Sequence, residues 1–215
     1  IESPDIEHVS GHAGFPHSIS VHTESMNLRD ISKFRVALLG VPEGRNAHGT
    51  GTSKGPDPIR AELYRLARIP GKTKIIDLGN MKQGSSFNDT LAGLADVLVS
   101  LIGENIFPVI IGGSSALVPA IDRALSELRI RYTLAAVDPR IDFIAEKRDP
   151  GPFNYLNTIA QDHRSTLRQY INIGYQTYLN DPQVVNRFLK KKSDLVRIGD
   201  VRKAIYLTEP LLRDA

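Results

Sequence analysis

The chain has 215 residues, 41% of them hydrophobic and 24% charged, which is enough for one substantial core or two small ones. It has no cysteine, so disulfides and thiolate metal sites are excluded, and with no run of eighteen apolar residues no membrane span is expected. A formal charge of +3 gives weak steering of polyanions, and no nucleic-acid motif accompanies it.

Residues 1–30 carry Pro4, Gly11, Gly14 and Pro16 with little periodicity and read as an irregular N-terminal arm. His8, His12, His17 and His22 invite a metal-binding reading. Their spacing matches no helical HExxH arrangement, so structural or solvent roles fit better. The chain begins at Ile1 rather than at methionine, so an upstream piece is expected to be missing. No export signal is evident, and a cytoplasmic location is expected.

Residues 31–215 read as the N-terminal portion of one α/β domain. Phe34 to Leu39 is an apolar, extended run closed by Gly40 and Pro42. Pro56 and Pro58 open a helix through Leu66, with Ile59, Leu63 and Leu66 at helical spacing. Lys74 to Leu78 is a second strand, stopped by Gly79 and Asn80. Asp89 is a candidate cap for a helix with an inner face of Leu91, Leu94, Leu98 and Ile102. Phe107 to Ile111 is a third strand, followed by a helix through Leu117, Ile121, Leu125 and Leu128.

Tyr132 to Val137 is the next strand, and Tyr170 to Ile173 and Leu195 to Ile198 are two more. Between those two, Asp181 and Pro182 start a helix lined by Val184, Val185, Phe188 and Leu189. Arg202 to Ala215 reads as a last helix. The Lys190, Lys191 and Lys192 cluster reads as a solvated helix end; an anion surface is the sharper alternative. Six strands thus alternate with helices, several of them apolar without alternation. That predicts a three-layer αβα fold with a mainly parallel sheet covered on both faces.

Ligands should gather where loops leave the carboxyl ends of such strands. This places 40–55, 112–115 and 138–142 on one rim. The first loop is rich in glycine, which lets a backbone approach a ligand closely, but it lacks the GxxxxGK[ST] phosphate pattern. His48 within it is a candidate acid or base. Asp138 and Asp142 follow a strand end, and two carboxylates there could share a divalent cation. The competing reading is local capping plus an ion pair with Arg140, and a fixed cation between the two aspartates favours it. If strand alternation continues, all three side chains share a face. Asn154 is a further candidate to line a pocket.

Several of these segments together resemble the arginase, agmatinase and formimidoylglutamase family. Gly40-Val-Pro42, Gly51 and Gly55-Pro-Asp-Pro-Ile-Arg60 resemble its first-strand loop and Gly-Pro-x-x-Ile-Arg helix start. Asp77-Leu-Gly-Asn80 resembles its second strand end. Pro108 to Gly113 is similar to the strand before Gly-Gly-Asp-His-Ser, and Asp138 to Asp142 sits where the family has Asp-Ala-His-x-Asp. Tyr170 to Gln176 is similar to a later strand, with Gln176 facing the rim.

The resemblance implies an arginase-like fold, incomplete in this chain, and a site holding two manganese ions that lower the pKa of a bridging water. It also implies departures. Ser114 and Ser115 stand where the family has Asp-His, and Arg140 stands at the second histidine position. Only Asp138 and Asp142 survive as ligand types. Arginine stays protonated and has no lone pair to offer. The expected function is therefore a non-catalytic arginase-family protein with a binding or assembly role, with no cofactor expected. The alternative is a manganese-dependent hydrolase of linear amidines or guanidines, using Asp138 and Asp142. A small zwitterion is a candidate ligand at Asp138, Arg140 and Asp142. The resemblance also implies central strands beyond these six, to be supplied by self-association or a second chain.

Overall fold

The computed structural model describes residues 19–22, 28–47, 49, 51–66, 71, 73–144, 151–191 and 193–213, without the side chains of 28–30 and 207. They fall into two compact units, Ile1–Ala124 and Leu125–Ala215.

In the first unit the strands are β1 (Ile19–Val21), β2 (Val36–Val41), β3 (Ile75–Asn80) and β4 (Phe107–Gly112). They form a parallel sheet in the order β1-β3-β2-β4. The helices are α1 (Pro56–Tyr64), α2 (Phe87–Gly103) and α3 (Val118–Glu127). The run Val-Ala-Leu-Leu-Gly-Val makes β2 a central strand because every position but the first is buried, as a strand covered on both faces requires.

Its alternate residues go to opposite layers. Ala37, Leu39 and Val41 join the core formed by α2 and α3, while Val36 and Leu38 pack with Leu63 and Tyr64 of α1. Unit 1 is therefore three layers deep. The long buried face of α2, including Leu91, Leu94, Leu98 and Leu101, contributes most, at about 1.5–3 kcal/mol per fully buried aliphatic side chain.

In the second unit β5 (Tyr132–Val137), β6 (Leu167–Tyr175) and β7 (Asp194–Arg197) form a parallel sheet in that order. Its helices are α4 (Tyr155–Gln161), α5 (Pro182–Lys190), α6 (Ile198–Lys203) and α7 (Glu209–Arg213). The chain is thus an α/β protein of parallel strands flanked by helices, consistent with the arginase-like three-layer fold. No helix among the described residues is long and apolar enough to cross a membrane.

Several elements differ from the sequence reading, each for a local reason. Ile19–Val21, within the stretch read as an irregular arm, forms an edge strand beside β3, and the His22 N–H donates to the Asp77 carbonyl at 2.8 Å. The cap of α2 is Ser86, not Asp89. Asp89 is its partner in a capping box, with Asp89 N–H on Ser86 Oγ at 3.1 Å and Ser86 N–H on Asp89 Oδ2 at 2.8 Å, so a carboxylate three residues inside the helix satisfies a second free donor. The stretch read as one helix from Arg202 is broken into α6, a short 3-10 turn (Ile205–Thr208) and α7. Pro210 cannot sit in a helix interior and instead falls in the first turn of α7.

Candidate functional site

The rim of unit 1 is held by two ionic networks, each anchored on a buried carboxylate. Arg60 of α1 donates from Nε to Asp77 Oδ2 at 2.8 Å, and from its terminal nitrogens to Asn80 Oδ1, Asp57 Oδ1 and the Gly79 carbonyl. Tyr64 Oη–H donates to the same Asp77 oxygen at 2.6 Å, and Asn80 Nδ2 donates to Asp57 at 2.6 Å. Burial, followed by that hydrogen bond, holds the Tyr64 hydroxyl protonated well above its ordinary range. Gly55-Pro-Asp-Pro-Ile-Arg60 and Asp77-Leu-Gly-Asn80 therefore meet in one network, and its members point at one another rather than at a ligand. Gly40 lies under it: a Cβ there would be 1.8 Å from Asn80 Oδ1.

The second network closes the loop after β2. Arg45 forms a two-pronged pair with the buried Glu43. It also donates to the carbonyls of Gly84, Ser85 and Ser86 and to Thr90 Oγ1 at the start of α2. Burial works against the charge on Glu43, but its hydrogen bonds with Arg45 and Thr90 hold the carboxyl below its ordinary value. Glu43 in turn lies on the Gly112-Gly113 turn: a Cβ on Gly113 would be 1.9 Å from the Glu43 carbonyl oxygen. The rim of unit 1 thus brings 40–55 against 112–115, as the sequence predicts. Ser114 caps the 3-10 turn that follows, accepting from Ala116 N–H at 3.3 Å. Ser115 is half-buried in that turn. His48, like His8, His12 and His17, lies outside the described residues.

In unit 2, Asp138 follows β5 and accepts the backbone N–H of Arg140 at 2.8 Å. The local capping is therefore present. The ion pair expected between Arg140 and the aspartates is not: among the described residues the Arg140 guanidinium pairs with neither carboxylate. It stacks on Phe153, 5.1 Å from the ring centroid, and reaches the Leu179 carbonyl at 3.5 Å. The capping turn breaks the strand alternation, and an aromatic face attracts a cation at no desolvation cost from a second buried charge.

Asp142 is 3% exposed. Burial pushes its carboxyl up to about 7; the nearby Asp138 charge adds to the rise and Arg140 partly offsets it. The carboxylates thus lie close enough to interact while the Arg140 guanidinium faces elsewhere.

Residues not singled out from the sequence hold this loop. Asn180 donates to the carbonyls of Pro139 and Gln176 at 2.9 and 2.8 Å, and accepts from Ile141 N–H at 2.6 Å. Asn172, fully buried in β6, donates to the Arg140 carbonyl at 2.9 Å and to Tyr170 Oη at 3.1 Å, while its own Oδ1 has no partner among the described residues. Tyr155 and Tyr170 are hydrogen-bonded to each other beneath the loop. Burial raises both hydroxyls, that of Tyr170 to about 12. An asparagine inside the apolar strand Tyr-Ile-Asn-Ile-Gly-Tyr was the available signal for Asn172, because a buried amide needs partners. Nothing local marks Asn180, two of whose three hydrogen bonds reach back about forty residues.

Gln176 joins the loop through its backbone N–H on the Pro139 carbonyl at 2.9 Å, and its side chain accepts from Tyr178 Oη. Asn154 is buried, and its side chain accepts from Gly151 N–H at 2.6 Å. It closes a turn instead of offering a free amide.

The family model described as the arginase family matches residues 34–204. A formimidoylglutamase of Photorhabdus laumondii is 24% identical over 182 residues, covering 79% of this chain and 56% of that protein. Among solved structures, Trypanosoma cruzi formiminoglutamase with Mn2+ aligns with a TM-score of 0.73 at 16% identity, over 84% of this chain and 65% of that one. Bacillus subtilis formimidoylglutamase gives 0.75 at 16% identity, over 91% and 64%. An arginase from Medicago truncatula gives 0.66 at 15%, over 81% and 60%. At these identities the structural likeness is one of fold. The chain spans just over half of the curated relative and less than two thirds of each of these solved structures.

Proposed function

The chain belongs to the arginase family, and from that premise we propose that it binds a small zwitterion at the Asp138–Asp142 loop without hydrolysing it through a dinuclear metal centre. The separation of charge in the loop carries this reading. Asp138 and Asp142 interact with each other, while the Arg140 guanidinium lies over Phe153. A ligand with an amine or amidine at one end and a carboxylate at the other would give each charge an opposite partner through charge-assisted hydrogen bonds. Its cation would also favour ionisation of Asp142 and draw that pKa down.

The donor set argues against manganese. No group of three or more His, Cys, Asp or Glu that could hold a metal ion occurs among the described residues. Ser115 and Arg140 stand where the resemblance puts histidines. Arg140 points to Phe153, yet its charge still reaches Asp142 and opposes a second cation there, and it supplies no lone pair. Two carboxylates, one already capping a turn, do not fit a two-ion centre.

Titration of the whole protein with glutamate, arginine and formimidoylglutamate tests this. At least one is expected to bind, and Asp142→Asn and Arg140→Gln are each expected to weaken that binding at least fivefold. No binding of any amino acid would refute the reading.

The second reading is a manganese-dependent hydrolase of linear amidines or guanidines. Kinship favours it more directly than the first: the relatives carry the names formimidoylglutamase and arginase, and both aspartates of the loop are retained. It requires further ligands from outside the described residues. Formamide or urea release with added manganese, lost in Asp138→Asn, would establish it over the first.

An assembly role rests on the strand edges. Among the described residues β4 pairs only with β2, and β5 only with β6. On them Phe107 is 68% exposed and Val137 84%. Unpaired parallel edges with exposed apolar side chains call for further strands, from more of the same protein, a second copy or another chain. Light scattering of the purified protein would report the copy number.

A further inference from the structure

We propose that unit 2 carries a second binding site, distinct from the Asp138–Asp142 loop, for a small organic anion with a flat apolar body. A cavity of about 310 Å3 lies beneath α4 and α5, beside the first residues of β6 and the approach to β7. That is the amino-terminal side of the strands, whereas the Asp138–Asp142 loop follows the carboxyl end of β5. Its volume is in the range of sites that take small metabolites.

The floor is apolar: Leu156 and Ile159 of α4 are buried, and Phe188 of α5 meets Phe143 and Tyr170 edge-on, both at 5.4 Å. The rim is basic. Arg168 of β6, and Arg187 and Lys191 at the end of α5, converge on the cavity, against a single carboxylate, Asp162. Asp162 is already engaged by Arg164, whose hydrogen bonds hold its carboxyl below the ordinary value. None of the three cations forms an ion pair among the described residues. Arg187 is fixed over Phe143, its guanidinium 4.6 Å from the ring centroid, so one donor fork is held in place at the cavity mouth.

The helix dipole accounts for cations in the last turn of α5. It does not account for Arg168, which comes from a strand and faces the same cavity. An apolar floor with a basic mouth selects an amphipathic anion: the apolar body displaces water from the floor, and a carboxylate or phosphate meets the guanidinium groups. The site does not depend on the function proposed for the loop.

The test is titration of the whole protein with benzoate and phenyl phosphate, with benzamide as the neutral isostere and inorganic phosphate as the bare anion. Benzoate or phenyl phosphate is expected to bind at least tenfold more tightly than both controls, and increasing salt should weaken the binding. Arg168→Gln and Arg187→Gln, both at exposed positions, should each reduce affinity at least fivefold with unchanged circular dichroism. Ala160→Trp on the exposed side of α4 should fill the cavity and abolish binding, while Asp142→Asn should leave it unaltered. Equal binding of benzamide, equal binding of inorganic phosphate, no binding of either aromatic anion, or full affinity in the folded Ala160→Trp variant would each overturn the proposal.

Discussion

Replacing Asp142 with asparagine probes the electrostatics of the loop through stability alone. The Asp142 carboxyl rises from an ordinary 3.8 to about 7, chiefly because it is buried and secondly because Asp138 is charged. At about 1.4 kcal/mol for each tenfold change, ionising it in place costs about 4 kcal/mol. Relaxation and water entry in a surface loop reduce this to about 2–3 kcal/mol.

The sign follows from proton counting. Between about pH 4 and pH 7 the folded protein holds this proton and the unfolded chain has released it, so stability contributed by the group falls as pH rises through that window. Asparagine has nearly the same shape and no proton to lose. Asp142→Asn is therefore expected to match the parent protein near pH 3, below the ordinary carboxylate value, and to exceed it by about 2–3 kcal/mol at pH 8. Urea denaturation at the two pH values measures both quantities. An Asn variant that loses stability equally at both, or that retains the parent's decline between pH 5 and 8, would refute the account of this carboxyl.

Three other substitutions and one control test the scaffold. Asp77→Ala strips the buried Arg60 of its main partner and Tyr64 of its acceptor; a loss of about 3–5 kcal/mol by chemical denaturation is expected. Gly113→Ala forces a methyl group into the Glu43 backbone and should lower stability by about 1–3 kcal/mol, whereas Gly93→Ala, where a Cβ meets nothing, should do no harm. Asn180→Ala removes three hydrogen bonds from the 138–142 loop; about 1–3 kcal/mol should be lost, with faster amide exchange at Ile141.

Much of the fold was legible because it is written locally. Tyr132–Val137 is bounded by charged and turn residues, and the Asp181-Pro182 start of α5 shows the expected cap, with Asp181 accepting from Gln183 N–H at 2.8 Å. The start of α2 was misassigned by three residues because Ser86 and Asp89 cap reciprocally and either resembles a cap in isolation. The edge strand Ile19–Val21 was missed because three residues cannot show a period, and only pairing with Ile75–Asp77 defines it.

The candidate site was half legible. Both aspartates and the capping of Asp138 follow from spacing and turn chemistry. The direction of Arg140 does not, because it depends on Phe153 and Leu179, thirteen and thirty-nine residues away. The motif residues Arg60, Asp77 and Asn80 were recognisable as a pattern, yet their purpose, a buried network between α1 and β3, emerges only when the two segments meet.

The most direct test is to incubate the purified protein with manganese, remove free metal by dialysis and measure the ions retained per chain. The donor set at Asp138 and Asp142 predicts less than one tightly held ion and no change when either aspartate becomes asparagine. Two retained ions per chain, lost in Asp138→Asn or Asp142→Asn, would contradict it.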